Sequence, residues 1–118
     1  MNSKDFQLGT FTQNNPILPG QGDAEYKKIF ETDLIPEFEK FKPEFILVST
    51  GFDAHVDDDM SGVSLTTDGY SWIMETVTAL AERLAAGRIV SVLEGGYCLE
   101  RLPELASNHV RILMNAHP

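Results

Sequence analysis

The stretch Ile46-Leu47-Val48-Ser49-Thr50-Gly51-Phe52-Asp53-Ala54-His55 starts apolar, steps through small residues and ends in ionisable ones. Pro43 stands before it and Gly51 closes its apolar part. A short aliphatic run bounded in this way reads as a buried parallel strand. Ile89-Val90-Ser91-Val92-Leu93 repeats the design and runs into Glu94-Gly95-Gly96-Tyr97. Open α/β sheets hold their chemistry just past the carboxyl ends of the strands. Asp53, His55 and Tyr97 fall at those ends, so the candidate site lies there.

Outward from the two strands, apolar residues recur at helical spacing. Tyr26, Phe30, Leu34, Phe38 and Phe41 predict a helix over 24–41, entered through the Gly20-Gln21-Gly22 turn with Asp23 as its cap. Pro36 removes a backbone donor inside it and predicts a kink or break near Asp33. Tyr70, Ile73, Met74, Val77, Leu80, Ala81 and Leu84 mark a second helix, capped by Thr66 and stopped at Gly87. Leu99, Leu102, Leu105, Ala106, Val110 and Leu113 mark a last one, with Pro103 near its start. Residues 1–9 carry no period, and 10–18 predict only a short extended piece around Phe11 and Ile17. The loop over 55–65 holds the run Asp57-Asp58-Asp59, whose charges need solvent or a positive partner. Helix, strand, helix, strand, helix implies parallel pairing through right-handed crossovers, an α/β fold. Two strands are few for a sheet buried on both faces, which predicts an incomplete domain.

Composition narrows the function. At 118 residues the chain is one small domain or part of a larger one, and a hydrophobic share of 42% argues against disorder. A net charge of −9 argues against direct nucleic-acid binding and would suit a cationic substrate. No run is long and apolar enough to span a membrane, and the amino terminus lacks the apolar core of a signal peptide. Cys98 is the one cysteine, so no internal disulfide forms; a reducing compartment, the cytoplasm, is expected.

The residues themselves leave several chemistries open. Asp53, on rigid backbone at a strand end, suits a metal ligand, or an acceptor for the N–H groups of its own turn. His55 lies two residues on and would point the same way on extended backbone, as in an Asp-x-His metal pair. Gly95-Gly96 allows a tight turn or an anion cradle before a helix. Tyr97 reads as a core aromatic or as a hydrogen-bond donor to substrate.

Four motifs in order carry a resemblance. They are Leu18-Pro19-Gly20-Gln21-Gly22-Asp23, then Ser49 to His55 as quoted, then Asp58 with Leu65-Thr66, then Leu93-Glu94-Gly95-Gly96-Tyr97. Together they resemble the carboxy-terminal part of the histone deacetylase and acetylpolyamine amidohydrolase family, over residues 11–113. The resemblance implies a partial three-layer parallel-sheet fold of arginase/deacetylase type. Residues 1–118 are then the carboxy-terminal part of a deacetylase-like catalytic domain. It implies zinc-dependent hydrolysis of an acetyl amide on lysine or a polyamine. Asp53 is then a zinc ligand, and Tyr97 hydrogen-bonds the substrate carbonyl and stabilises the oxyanion. Asp58 matches the acid of an Asp-Pro-aliphatic loop at the pocket mouth, with Asp59 in place of proline and Met60 in the aliphatic place. Gly95 and Gly96 join Asp58 and Met60 as pocket residues. His55 is not a ligand in the family and is expected to brace its loop. Cys98 stands where relatives often carry asparagine.

The family's Asp-x-His ligand pair and its paired proton-moving histidines are upstream features that this sequence does not contain. The zinc site is therefore expected to be incomplete, and the 118 residues alone to bind no zinc tightly and release no acetate. An upstream segment or self-association is expected to cover the open strands. Two rivals stand beside this reading: a non-catalytic remnant or interaction module of the same fold, and a small anion- or nucleotide-binding α/β domain built on Gly95-Gly96.

Overall fold

The computed structural model describes residues 12–115, so the expectations for 1–9 and for Phe11 lie outside the described residues. The elements are α1 (Asp23–Ile29), a π-helical turn (Phe30–Leu34), α2 (Ile35–Phe41), β1 (Ile46–Gly51), α3 (Thr67–Leu84), β2 (Ile89–Gly95) and α4 (Leu102–Asn115). The strands pair in parallel, from Ile46 opposite Ile89 to Thr50 opposite Leu93, with an irregularity before Gly51 meets Gly95. The α/β class and the parallel pairing stand as the alternation of elements predicts. Residues 12–18 form no strand, in keeping with the prolines that punctuate them.

Local chemistry explains the boundaries. Gly22, not Asp23, is the N-cap of α1, and its N–H donates to Glu25 Oε2 at 2.9 Å. Asp23 is taken elsewhere: its carboxylate accepts the Thr66 N–H at 2.9 Å and the Thr66 hydroxyl at 2.5 Å. The break expected near Asp33 is a widened turn in which the Ile35 N–H reaches back to the Phe30 carbonyl. That extra residue places Pro36 in the first turn of α2. Thr66 caps α3 through its hydroxyl, which accepts the Gly69 N–H at 3.0 Å. Ala86 (φ 52°) and Gly87 (φ 76°) then turn left-handed and stop the helix.

The helices cover one face of the sheet. Phe30, Ile46, Val77, Leu80, Ala81 and Ala85 form its buried core, with Val48 and Ile89 packed against them. Strand side chains alternate between faces, so the intervening residues point the other way. Leu47 is 75% exposed there, beside Val90 at 45% and Val92 at 54%. The described residues thus supply a sheet with one helical layer, a partial form of the expected architecture. No helix among them is long and apolar enough to cross a membrane.

Candidate active site at the strand ends

Phe52 locks the two strand ends together. It is buried, and its N–H donates to the Gly95 carbonyl at 3.0 Å. Its ring meets Tyr70 edge-on at 5.2 Å and His109 at 5.7 Å between centroids. Asp53 follows directly. A methyl group built on Gly51 would stand 2.6 Å from Asp53 Oδ1, and one on Gly95 3.2 Å from it. The carboxylate therefore lies over the ends of both strands, in space that only glycines leave free. Among the described residues it takes no hydrogen bond or ion pair.

The turn that carries Asp53 is held from both sides. The Tyr70 hydroxyl donates to the Gly51 carbonyl at 2.9 Å and accepts the Ala54 N–H at 3.0 Å. The Ser61 hydroxyl donates to the Asp53 carbonyl at 2.8 Å. Burial raises the Tyr70 hydroxyl far above the ordinary tyrosine value. Tyr26 of α1 is raised too, by burial first and then by the charge of Asp53. The spacing of both tyrosines marks them as apolar stripe residues. Nothing in that spacing shows that their hydroxyls face the end of β1.

His55 is buried and braces its loop, as the resemblance implies. The Asp57 N–H donates to its Nδ1 at 3.0 Å, so the ring proton sits on Nε2, which donates to Thr67 Oγ1 at 3.0 Å. With both nitrogens taken, it does not pair with Asp53 as a ligand. Among the described residues, no three His, Cys, Asp or Glu side chains converge as a metal site.

The acidic run separates into distinct roles. Asp57 pairs with Arg101 at 2.7 Å, and Asp59 is exposed. Asp58 is buried, 4% exposed, and its two oxygens accept three backbone N–H groups. Oδ1 takes Met60 at 2.9 Å; Oδ2 takes Tyr97 at 2.7 Å and Cys98 at 3.1 Å. Burial pushes the Asp58 carboxyl up, but these N–H donors, with a smaller pull from His55, hold it below the ordinary carboxylate value.

Past β2, Gly96 adopts φ 125°, and a methyl group there would meet Phe52 Cβ at 2.9 Å and Leu102 Cδ1 at 3.1 Å. Glycine is required at this point by the backbone and by the packing. Tyr97 follows, 57% exposed, and Met60 is 64% exposed on the facing loop. The N–H groups of Tyr97 and Cys98, which follow the Gly95-Gly96 turn, are given to Asp58. The helix α4 begins only at Leu102.

Sequence distance hid one further residue. His109 stands far along the chain from both strands, yet its Nε2 lies 2.8 Å from Ser91 Oγ, which lies 2.5 Å from Thr50 Oγ1. With Tyr70, Met74 and Val77 it lines a recess of about 130 Å³ on the covered face of β1.

An acid, a glycine pair and an exposed tyrosine thus stand together past adjacent parallel strands. The chain belongs to the histone deacetylase domain family, whose pattern matches residues 3–113. It is 41% identical over 90 residues to a probable deacetylase of Archaeoglobus fulgidus, covering 76% of this chain and 25% of that protein. The crystal structure of the HDA15 HD domain superposes with a TM-score of 0.75 at 30% identity, over 83% of this chain and 26% of that one. The acetylpolyamine aminohydrolase of Burkholderia pseudomallei gives 0.73 at 33% identity, over 85% and 28%. The chain thus spans about a quarter of the length of the relatives it matches. These likenesses place the fold in the arginase–deacetylase type.

Proposed function

We propose that this chain, as the carboxy-terminal part of a deacetylase-like catalytic domain, takes part in hydrolysis of the acetyl amide of acetyl-lysine or an acetylpolyamine. One juxtaposition supports the reading. Asp53 and Gly95-Gly96-Tyr97 lie past neighbouring strand ends, joined by the Phe52 N–H on the Gly95 carbonyl at 3.0 Å. In this reading the Tyr97 hydroxyl donates to the amide oxygen as it becomes an oxyanion. A donor so placed is worth about 3 kcal/mol of barrier. Gly95 and Gly96 let the chain pass close to the substrate, and Met60 stands at the rim with Asp58 beneath it. The net charge of −9 favours the approach of a cationic substrate.

Zinc, by the family resemblance, would take Asp53 as one ligand. A catalytic zinc centre takes about three protein ligands. The described residues offer this single donor, so they do not make the centre by themselves, and no step through the metal follows from them. The groups that would move the proton are likewise not among them. One half-buried cysteine, Cys98, suits a reducing compartment, and the cytoplasm is the location this reading takes.

The test is a chimera in which these 118 residues replace the matching segment of the Burkholderia acetylpolyamine aminohydrolase. The chimera is expected to release acetate from an acetylpolyamine. Tyr97→Phe is expected to lower kcat by roughly a hundredfold or more with KM little changed, because the lost bond forms mainly in the transition state. A folded chimera without turnover, or a Tyr97→Phe variant that keeps it, would overturn the reading.

A further inference from the structure

We propose that Asp58 is a positioning residue, which aims Tyr97 through the main chain rather than touching substrate. The inference rests on the reading of Tyr97 as the donor to the substrate oxygen. Tyr97 lacks the usual means of holding a side chain in place. The residue is 57% exposed, and among the described residues its hydroxyl makes no hydrogen bond. The residue before it is a glycine at φ 125°, a pivot rather than a brace. The Cys98 carbonyl accepts the Arg101 and Leu102 N–H groups at 3.0 and 2.9 Å, which ties the far end of the segment to α4, and one carboxylate oxygen holds its N–H groups. Asp58 Oδ2 accepts the Tyr97 N–H at 2.7 Å and the Cys98 N–H at 3.1 Å. Two successive N–H groups on one oxygen set the orientation of the peptide between them, and so the direction of the Tyr97 Cα–Cβ bond. The other oxygen is held by the Met60 N–H at 2.9 Å, which ties the carboxylate to its own loop.

Neighbouring acids do not duplicate this. Asp59 is exposed, and Asp57 reaches the second loop only through the exposed Arg101 pair. Among the described residues, Asp58 is the buried carboxylate that joins the loop after β1, which carries Asp53, to the main chain of the loop after β2, which carries Tyr97. Beyond the strand ends, which the Phe52 N–H holds to the Gly95 carbonyl, the Tyr97 main chain is thus tied to the Asp53 loop by a buried charge that is 4% exposed. Charge-assisted bonds of this kind are short and directional, which suits a role in alignment.

The experiment uses the 118-residue chain labelled with 3-fluorotyrosine, which gives three fluorine resonances, for Tyr26, Tyr70 and Tyr97. In Asp58→Asn an amide N–H₂ competes for the place of one acceptor oxygen. The Tyr97 resonance is expected to move to the position of a free fluorotyrosine while those of Tyr26 and Tyr70 stay. Amide exchange at Tyr97 and Cys98 is expected to quicken about tenfold or more. Asp57→Asn is expected to leave the Tyr97 resonance in place. In the unaltered chain, a scalar coupling across the hydrogen bond from Tyr97 N to the Asp58 carboxyl carbon reports the contact directly. If Asp58→Asn does not fold, that coupling and the Asp58→Glu variant, which keeps the charge and displaces it, carry the test. An unmoved Tyr97 resonance in a folded variant, or no coupling in the unaltered chain, would overturn the proposal. These signals do not depend on turnover. The chimera with Tyr97→Phe reports on the reaction alone, so either idea can fail without the other.

Discussion

At the scale of single residues, the site is made by backbone held in unusual places. Tyr70 shows how little of that a sequence discloses. Its position in the stripe of α3 marks it as buried, which is right, but its hydroxyl bridges the Gly51 carbonyl and the Ala54 N–H on either side of Asp53. Tyr70→Phe keeps the ring against Phe52 and leaves two backbone groups unpaired. The expected loss is about 1–3 kcal/mol of stability, read as a lower urea midpoint with an unchanged slope. A midpoint equal to that of the unaltered chain would mean that water replaces the hydroxyl at no cost. The position of Asp53 and Tyr97 past the two strand ends, by contrast, was legible, because a strand pattern followed by a glycine step marks where a strand gives way to a turn. The roles within Asp57-Asp58-Asp59 were not. Three identical acids differ only in what the two loops bring to them, and sequence does not contain those distances.

At the scale of elements, hydrophobic period and cap residues read out α3, β1, β2 and α4 to within a few positions. Spacing does not say which element presses on which, and His109 is the clearest case. It joins α4 to the covered face of the sheet through Ser91 Oγ at 2.8 Å, with Thr50 beyond and the Phe52 ring edge-on. Burial lowers its pKa below the ordinary histidine value of 6.5. Among the described residues no carboxylate pairs with it to offset that burial. The unfolded chain then takes up this proton at a higher pH than the folded one. Stability is therefore lost as pH falls from the ordinary value through the lowered one, and is fully present above it. Melts at about pH 7.5 and about pH 5.5 should show that loss. His109→Gln, which can still bond to Ser91, should reduce the difference between the two pH values. An equal pH dependence in the variant would assign the slope to other groups.

At the scale of the whole molecule, a sheet covered on one face only is the feature that decides behaviour in solution. The shortage of strands was legible from the element order, and it is what leaves Leu47, Val90 and Val92 exposed together on the uncovered face. Phe45, 50% exposed, stands just before β1 and adds to the exposed apolar surface. Each of the two strands also has one ladder edge without a partner strand among the described residues. Unpaired edges beside apolar surface favour association with another chain. The net charge of −9 opposes it. The balance turns on salt, because at physiological ionic strength charges are screened beyond about 8 Å, whereas apolar burial contributes about 25 cal/mol per Å² regardless. Association is therefore expected to win at physiological salt and to weaken as salt is removed. Sedimentation velocity over a range of concentrations should show mass rising above that of the 118-residue monomer. Leu47→Lys should shift that rise to higher concentration, since it places a charge in the centre of the open face. Val110→Lys, on the exposed side of α4, should leave it unchanged. A rigid monomer at all concentrations, with slow amide exchange along both strands, would show that one covered face and a single ladder suffice to hold these residues closed.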